Sequence, residues 1–392
     1  MKRIVFGVAL LLMGLILLLS LPLSGEAIPY TFTKIADTSG TFNGLGVPSI
    51  NNRGTIAFSG RVNGLDVSIL TSDGSSTTTL YNTTKIDISS VFNSFGSPLI
   101  NDDETVAFFA TLNTGGEGIF TGNGGTSTSI ADTSRVFSLI LAAYSINNRG
   151  TVIFSAGQND GTRGIFTGKG GAITTIADTS GVFSSVGGAS MNESETVAFT
   201  AALDSGISGI FTQSGGSLTT IADTSSGFSR ISGGTSINDA GTVAFGATLD
   251  SGISGIFTSR DGLTTRSVDE SDGFTSFGSP SMNADGTLAF FGIQDTGETG
   301  IFTSNGNGVD KVFNSTDLIF GLPIEHISFS SHGLNDKGQM TFRVIFSDDS
   351  SAIYRADPIT ANPIPEPSTL TLLSIAIVGL LVRSWRRRKQ TA

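Results

Sequence analysis

The chain has 392 residues, with 33 Asp and Glu against 22 Lys and Arg, no Cys, one Trp, 28 Phe and 51 Gly, and only 14% of its residues are charged. A chain this apolar and this sparsely charged is not disordered. The absence of Cys removes disulfide and zinc-thiolate scaffolds, the glycines do not recur at every third position as collagen requires, and the acidic balance argues against nucleic acid as a partner.

Lys2 and Arg3 precede a continuous apolar run, Ile4 to Leu19, and Gly25-Glu26-Ala27 puts small residues at the two positions a signal peptidase reads. Residues 1–27 therefore read as a signal peptide with a helical apolar core, cleaved after Ala27. The segment that follows, residues 28–357, repeats itself. An Asn opens each Asn-x-x-Gly-Thr-Val-Ala-Phe-like stretch, at Asn51, Asn101, Asn147, Asn192, Asn238, Asn283 and Asn335, with gaps of 50, 46, 45, 46, 45 and 52 residues. A regular period of this size signals an array of like units.

Each unit reads as four short strands, because its runs are β-branched and aromatic and are bounded by Gly, Asn and Ser. Strand A is small and apolar, as in 278–282. Strand B follows a turn, as in Gly241 to Phe245. Strand C carries Gly-Ile-Phe, as at Gly209 to Phe211, and strand D ends in Ile-Ala-Asp-Thr, as at Ile221 to Thr224. No amphipathic helix is apparent between residues 28 and 364. An orphan D strand, Thr31 to Ala36, stands before the first unit, and the last unit stops after strand C at Tyr354-Arg355. A ring closes this way, with the N-terminal strand completing the final blade and removing both open edges. The expected fold is all-β, a seven-bladed β-propeller of four-stranded blades, and the repeats resemble those of bacterial β-propeller domains. The Phe residues of strands B and C are expected as core. Phe42, Phe92, Phe137, Phe183, Phe228 and Phe274 are expected to plug the gaps between blades.

Antiparallel strands put the B–C and D–A loops on one face and the A–B and C–D turns on the other. The A–B turns read Asn-Asn-Arg-Gly or Asn-Asp-Ala-Gly, which is turn chemistry and requires no functional reading. The B–C and D–A loops are longer and acidic, and loops on a rigid scaffold carry function. Asp37, Asp132, Asp178, Asp223 and Asp269 after strand D, with Asp204, Asp250 and Asp295 between strands B and C, form a candidate ligand or cation face. Hard oxygen ligands of this kind suit Ca²⁺, although no stretch matches the EF-hand loop and an aspartate after a strand also caps turns. Catalysis is not expected. There is no Cys nucleophile, the two histidines are His326 and His332, and no Gly-x-Ser-x-Gly, P-loop or His-Glu-x-x-His occurs.

Residues 358–368 are Pro-rich and contain Pro365-Glu366-Pro367. Residues 369–392 hold an apolar run, Leu370 to Val382, and a basic end that includes Arg386, Arg387 and Arg388. Thirteen residues at 1.5 Å each span about 20 Å, short of the ~30 Å hydrocarbon core, so the expected helix is marginal as a permanent transmembrane helix. This order of motif, short helix and Arg-rich terminus resembles the PEP-CTERM sorting signal of exported bacterial proteins. The resemblance implies recognition by an exosortase-type enzyme, export to the cell surface with transient or permanent membrane anchoring through the helix, and association with exopolysaccharide. With the ends set aside, 31 acids face 15 basic residues, a formal charge of −16. The chain reads as an exported, surface-associated propeller that binds matrix polysaccharide or surface proteins without turnover. The alternatives are an extracellular glycan hydrolase using paired carboxylates and a purely architectural envelope component.

Overall fold

The computed structural model of the protein describes residues 30–62, 66–83, 91–134, 136–317 and 321–359. The expected signal peptide, the motif Pro365-Glu366-Pro367 and the terminal helix with Arg386, Arg387 and Arg388 lie outside these residues. Among the described residues no helix is long and apolar enough to cross a membrane. The chain divides into two units at Asp357/Pro358, and the repeats form the first.

The described strands run from Tyr30 to Pro358 and make seven separate antiparallel sheets. Blade 3 shows the plan: Phe137–Ile146, Val152–Gln158, Arg163–Gly168 and Ile173–Asp178 pair in sequence order from the axis outward. Blades 4 and 5 repeat it. In blades 1, 2 and 6 the inner strand is split, for example into Phe274–Phe277 and Ser281–Met282. Pro48, Pro98 and Pro280 stand at these breaks and have no N–H to give to the ladder. The recurrent Phe thus opens strand A, which starts earlier than the small-residue pattern suggests.

Blade 7 is built from both ends of the array. Its order is Tyr30–Asp37, Ser351–Pro358, Met340–Phe346 and Ile324–Ser328. The N-terminal strand is the outer one, as expected. It is latched where Thr38 N–H donates to the Ser351 carbonyl at 3.0 Å and Ser351 N–H to Thr38 Oγ1 at 2.8 Å. Blade 7 is also tied to blade 1, because Arg355 donates to the carbonyls of Gly54 and Asp73 at 3.1 and 2.9 Å.

Strand periodicity sorts each blade into two unlike faces. In blade 4, Val197, Phe199 and Phe211 pack toward blade 3, whereas Ala198, Ile210 and Ala222 pack toward blade 5. The large face carries an aromatic triad: Phe183, Phe199 and Phe211 lie with ring centroids 5.3 to 5.9 Å apart. The same triad recurs as Phe137, Phe154 and Phe166 in blade 3 and as Phe228, Phe245 and Phe257 in blade 5. Each triad meets the small Ala and Ile face of the preceding blade, so the recurrent Phe of strand A fills the seam between blades. The Gly of Gly-Ile-Phe makes room for the ring. A Cβ on Gly164 would come within 2.7 Å of the Phe166 ring and 3.0 Å of the Ala177 carbonyl oxygen.

Phe199 is fully buried at the centre of one such triad. Phe199→Ala is expected to cost about 3–5 kcal/mol in urea unfolding. A loss below about 1 kcal/mol would mean that the triads are not what holds neighbouring blades together.

Candidate functional site at the channel mouth

The A–B turns meet around the axis and form the best-defined polar site. Each begins with a buried Asn, and in five blades its short side chain works at both ends. In blade 1, Asn51 Oδ1 accepts the N–H groups of Arg53 and Thr55 at 3.0 and 2.9 Å, which closes the turn. Its Nδ2 donates to the Asn101 carbonyl of the next blade at 3.0 Å. The link repeats from Asn101 to Asn147, Asn192 to Asn238 and Asn238 to Asn283, and Asn335 returns it to Asn51 at 2.8 Å. Asn147 Nδ2 is buried without a partner. An Asp could close the turn but has no N–H to hand on. The fourth turn position has positive φ and is Gly54, Gly150, Gly241, Gly286 and Gly338 in five blades. Glu104 and Glu195 take it in the other two.

The residue after each ring Asn forms a second ring at the rim: Asn52, Asp102, Asn148, Glu193, Asp239, Ala284 and Asp336. In six of the seven the backbone N–H donates to the side chain of the next blade. The distances are 2.7 Å for Asn52 to Asp102, 2.8 Å for Asp102 to Asn148, 2.9 Å for Asn148 to Glu193 and 2.9 Å for Glu193 to Asp239. Ala284 donates to Asp336 at 2.7 Å, and Asp336 to Asn52 at 2.8 Å. The one missing link runs from Asp239 to Ala284, which has no side-chain acceptor. The ring therefore has a notch between the carboxylates of Asp239 and Asp336.

Behind the rim the residue before each Asn builds an apolar collar of Ile50, Ile100, Ile146, Met191, Ile237, Met282 and Leu334, all at most 9% exposed. Rim and collar enclose a cavity of about 200 Å³. His332 is set in its wall, where burial pushes the imidazole down to about 4, so it is neutral at physiological pH. Glu193 is raised above the ordinary carboxylate range, first by burial and then by the charges of Asp239 and Asp102, against the opposing Asn148 N–H.

On the opposite face each aspartate after strand D is occupied by its own turn. Asp178 Oδ1 accepts from Ser180 N–H at 2.9 Å and Ser180 Oγ–H at 2.6 Å. Asp37 with Ser39, Asp132 with Ser134, Asp223 with Ser225 and Asp269 with Ser271 do the same. The Thr of Asp-Thr-Ser closes the outer ladder: Thr179 N–H donates to the Arg163 carbonyl and its Oγ1 accepts the Arg163 N–H. Asp269 is buried and also held by Arg266 Nε at 2.6 Å. Asp204, Asp250 and Asp295 are exposed. Among the described residues no three or more His, Asp or Glu are placed to hold a metal ion. The rim residues were passed over in the sequence as turn formers. The signal for them is an Asn, Asp or Glu directly after the ring Asn in six of the seven units.

An exported β-propeller with a polar channel mouth is the class that fold and site define. Residues 31–135 and 207–357 match a family of unknown function (DUF7453), and the chain belongs to that family. Residues 363–388 match the PEP-CTERM protein-sorting motif, which marks an exported protein processed by exosortase. No curated protein matches the sequence. Among solved structures the fold is similar to an oligogalacturonate lyase in complex with manganese, at 13% identity and TM-score 0.55, over 86% of this chain and 98% of that one. It is also similar to a prolyl endopeptidase, at 10% identity and TM-score 0.55, over 81% of this chain and half of that one. At these identities the likeness is one of fold.

Two outcomes are expected. Asp178→Asn keeps the acceptor and should leave the melting temperature nearly unchanged, whereas Asp178→Ala should cost about 0.5–2 kcal/mol. Equal losses would show that charge, and not the turn bond, is what the fold uses there. Glu193 holds its proton more tightly folded than unfolded. Its contribution is therefore fully present below the ordinary Glu range and is lost as pH rises through the raised value. The melting temperature of Glu193→Gln relative to the parent should accordingly climb from pH 4 to pH 7, and a flat or falling difference would remove the burial argument.

Proposed function

We propose that the protein is a non-catalytic binding propeller of the cell exterior, and that its channel mouth takes hydroxyl groups of a matrix polysaccharide. The observation that carries this reading is the notch at Ala284. There the Asp239 N–H lacks the acceptor that six other positions in the ring receive, and two carboxylates flank the gap. A hydroxyl is both donor and acceptor, so it completes the ring as a side-chain amide would. The aspartates after strand D offer less, because one oxygen of each already serves its own turn. The apolar collar lies behind the mouth, so a hydroxyl entering there meets its polar partners at the rim.

Export supports the same reading. The sorting motif marks an exported protein, the expected signal peptide agrees with it, and polysaccharide and surface proteins are among the partners such a propeller can meet. The serine–histidine side-chain contact at the mouth joins chain neighbours, Ser331 Oγ and His332 Nδ1 at 3.2 Å, with the imidazole buried in the wall, and Glu193 is engaged by the Asn148 N–H through both oxygens, at 2.9 and 3.1 Å. Binding without turnover fits this arrangement better than acid–base cleavage.

The test is a panel of neutral and acidic polysaccharides titrated against the full chain and against Ala284→Asn, which supplies the missing acceptor and fills the notch. Ala284→Asn is expected to gain stability while losing affinity about tenfold or more, ~1.4 kcal/mol. Unchanged affinity would place binding elsewhere. Shortened chains after prolonged incubation would replace the non-catalytic reading with a glycan-cleaving one.

A further inference from the structure

The seven blades are most informative where they differ. Register aligns Arg343 of strand B in blade 7 with Ser59, Phe109, Ser155, Thr200, Gly246 and Phe291 in blades 1 to 6. One position in seven thus carries a charge, at the seam where the ring closes. The guanidinium is half-buried and faces blade 1. It donates through Nη1 to the Leu45 carbonyl and through Nη2 to Ser328 Oγ at 3.1 Å, and its Nε is buried without a partner. Burial lowers its pKa, and among the described residues no carboxylate pairs with it. A charge taken out of water without a counterion is costly.

This guanidinium forms one wall of a cavity of about 460 Å³ between blades 7 and 1, at the end of the molecule opposite the channel mouth. Thr38, Asn43, Ile345 and Ser350 contribute to the other walls, and Asp348 and Asp349 stand in its B–C loop. Asp348 is tied to Ser350, with Oδ1 accepting the N–H at 3.0 Å and the Oγ–H at 2.5 Å. The unit that holds the cavity is also one of the two with lengthened D–A loops, and strand A at the end of that loop supplies Ser328.

We propose that this seam is a second binding site, specific for a glycan that bears an oxyanion, with Arg343 as counterion to its carboxylate or sulfate group. The fork geometry of guanidinium suits either group. The aspartates and hydroxyls around it exclude a bare polyanion and accept from or donate to sugar hydroxyls. The proposal rests on the reading of an extracellular glycan binder, but it uses different residues from the mouth.

The experiment titrates the full chain with three oligosaccharides of equal length: uronate-bearing, sulfate-bearing and neutral. At least one acidic probe is expected to bind about tenfold or more tighter than the neutral one, and the preferred probe distinguishes carboxylate from sulfate. Arg343→Lys should lose about tenfold or more of that affinity, since it keeps the charge but not the fork. Because Arg343 also clamps Leu45, a second variant decides if the first unfolds. Ile345→Glu puts a carboxylate in the cavity wall away from the clamp, and should abolish acidic binding at an unchanged melting temperature. Equal binding of neutral and acidic probes, wild-type affinity in Ile345→Glu, or no binding of either acidic probe below about 1 mM overturns the proposal. So does loss of acidic binding in Ala284→Asn, which would move the site to the mouth.

Discussion

The ring of buried asparagines is the constraint on which the rest of the structure depends. Seven separate sheets share no ladder hydrogen bonds, and their aromatic seams would tolerate small slips. The asparagine links do not. Each side chain closes its own A–B turn and, in five blades, reaches the backbone of the next blade, so turn geometry and blade spacing are set by the same few atoms. Buried amides must find such partners, which makes the ring selective as well as cohesive. The rim, the collar and the cavity at the mouth sit one residue to either side of it, and their positions follow from it.

Much of the architecture was legible because the repeat is strong. The asparagine spacing reported the unit length, and the displaced strand ending in Asp37-Thr38 reported the closure. The Val-Ala-Phe and Gly-Ile-Phe runs marked which residues enter the seams. The site was less legible, for a physical reason. Repeated aspartates on long loops and repeated asparagines in tight turns look alike as lists, yet they differ in what their oxygens already do. Asp178 already gives one oxygen to Ser180 two residues away. Asp239 has its neighbour in another blade, some 45 residues off, and no local pattern announces it. The inner strand was read too short because the small residues near the axis are separated from Phe274 by Pro280 and a strand break.

Near-identity of the blades also explains where binding can arise. A sevenfold ring that satisfies every donor is inert, so recognition requires a departure from the repeat. Ala284 is one departure, a missing acceptor. Arg343 is another, an added donor group without a counterion. Both lie on a frame that the Asn ring and the Phe triads keep rigid, which lowers the ordering cost of binding.

The arrangement of blade 7 has a mechanical consequence. Thr31 Oγ1 lies 3.4 Å from the Asp357 carbonyl oxygen, so the first and last described strands end side by side. The strand that continues into the sorting tail is not the outer one. It lies between Tyr30–Asp37 and Met340–Phe346 and is bonded on both edges. A pull entering at Pro358 along that strand therefore loads two ladders in shear, with many bonds sharing the force. The outer N-terminal strand, pulled sideways, would peel one bond at a time. A chain handled by its C-terminus is held by its stronger grip.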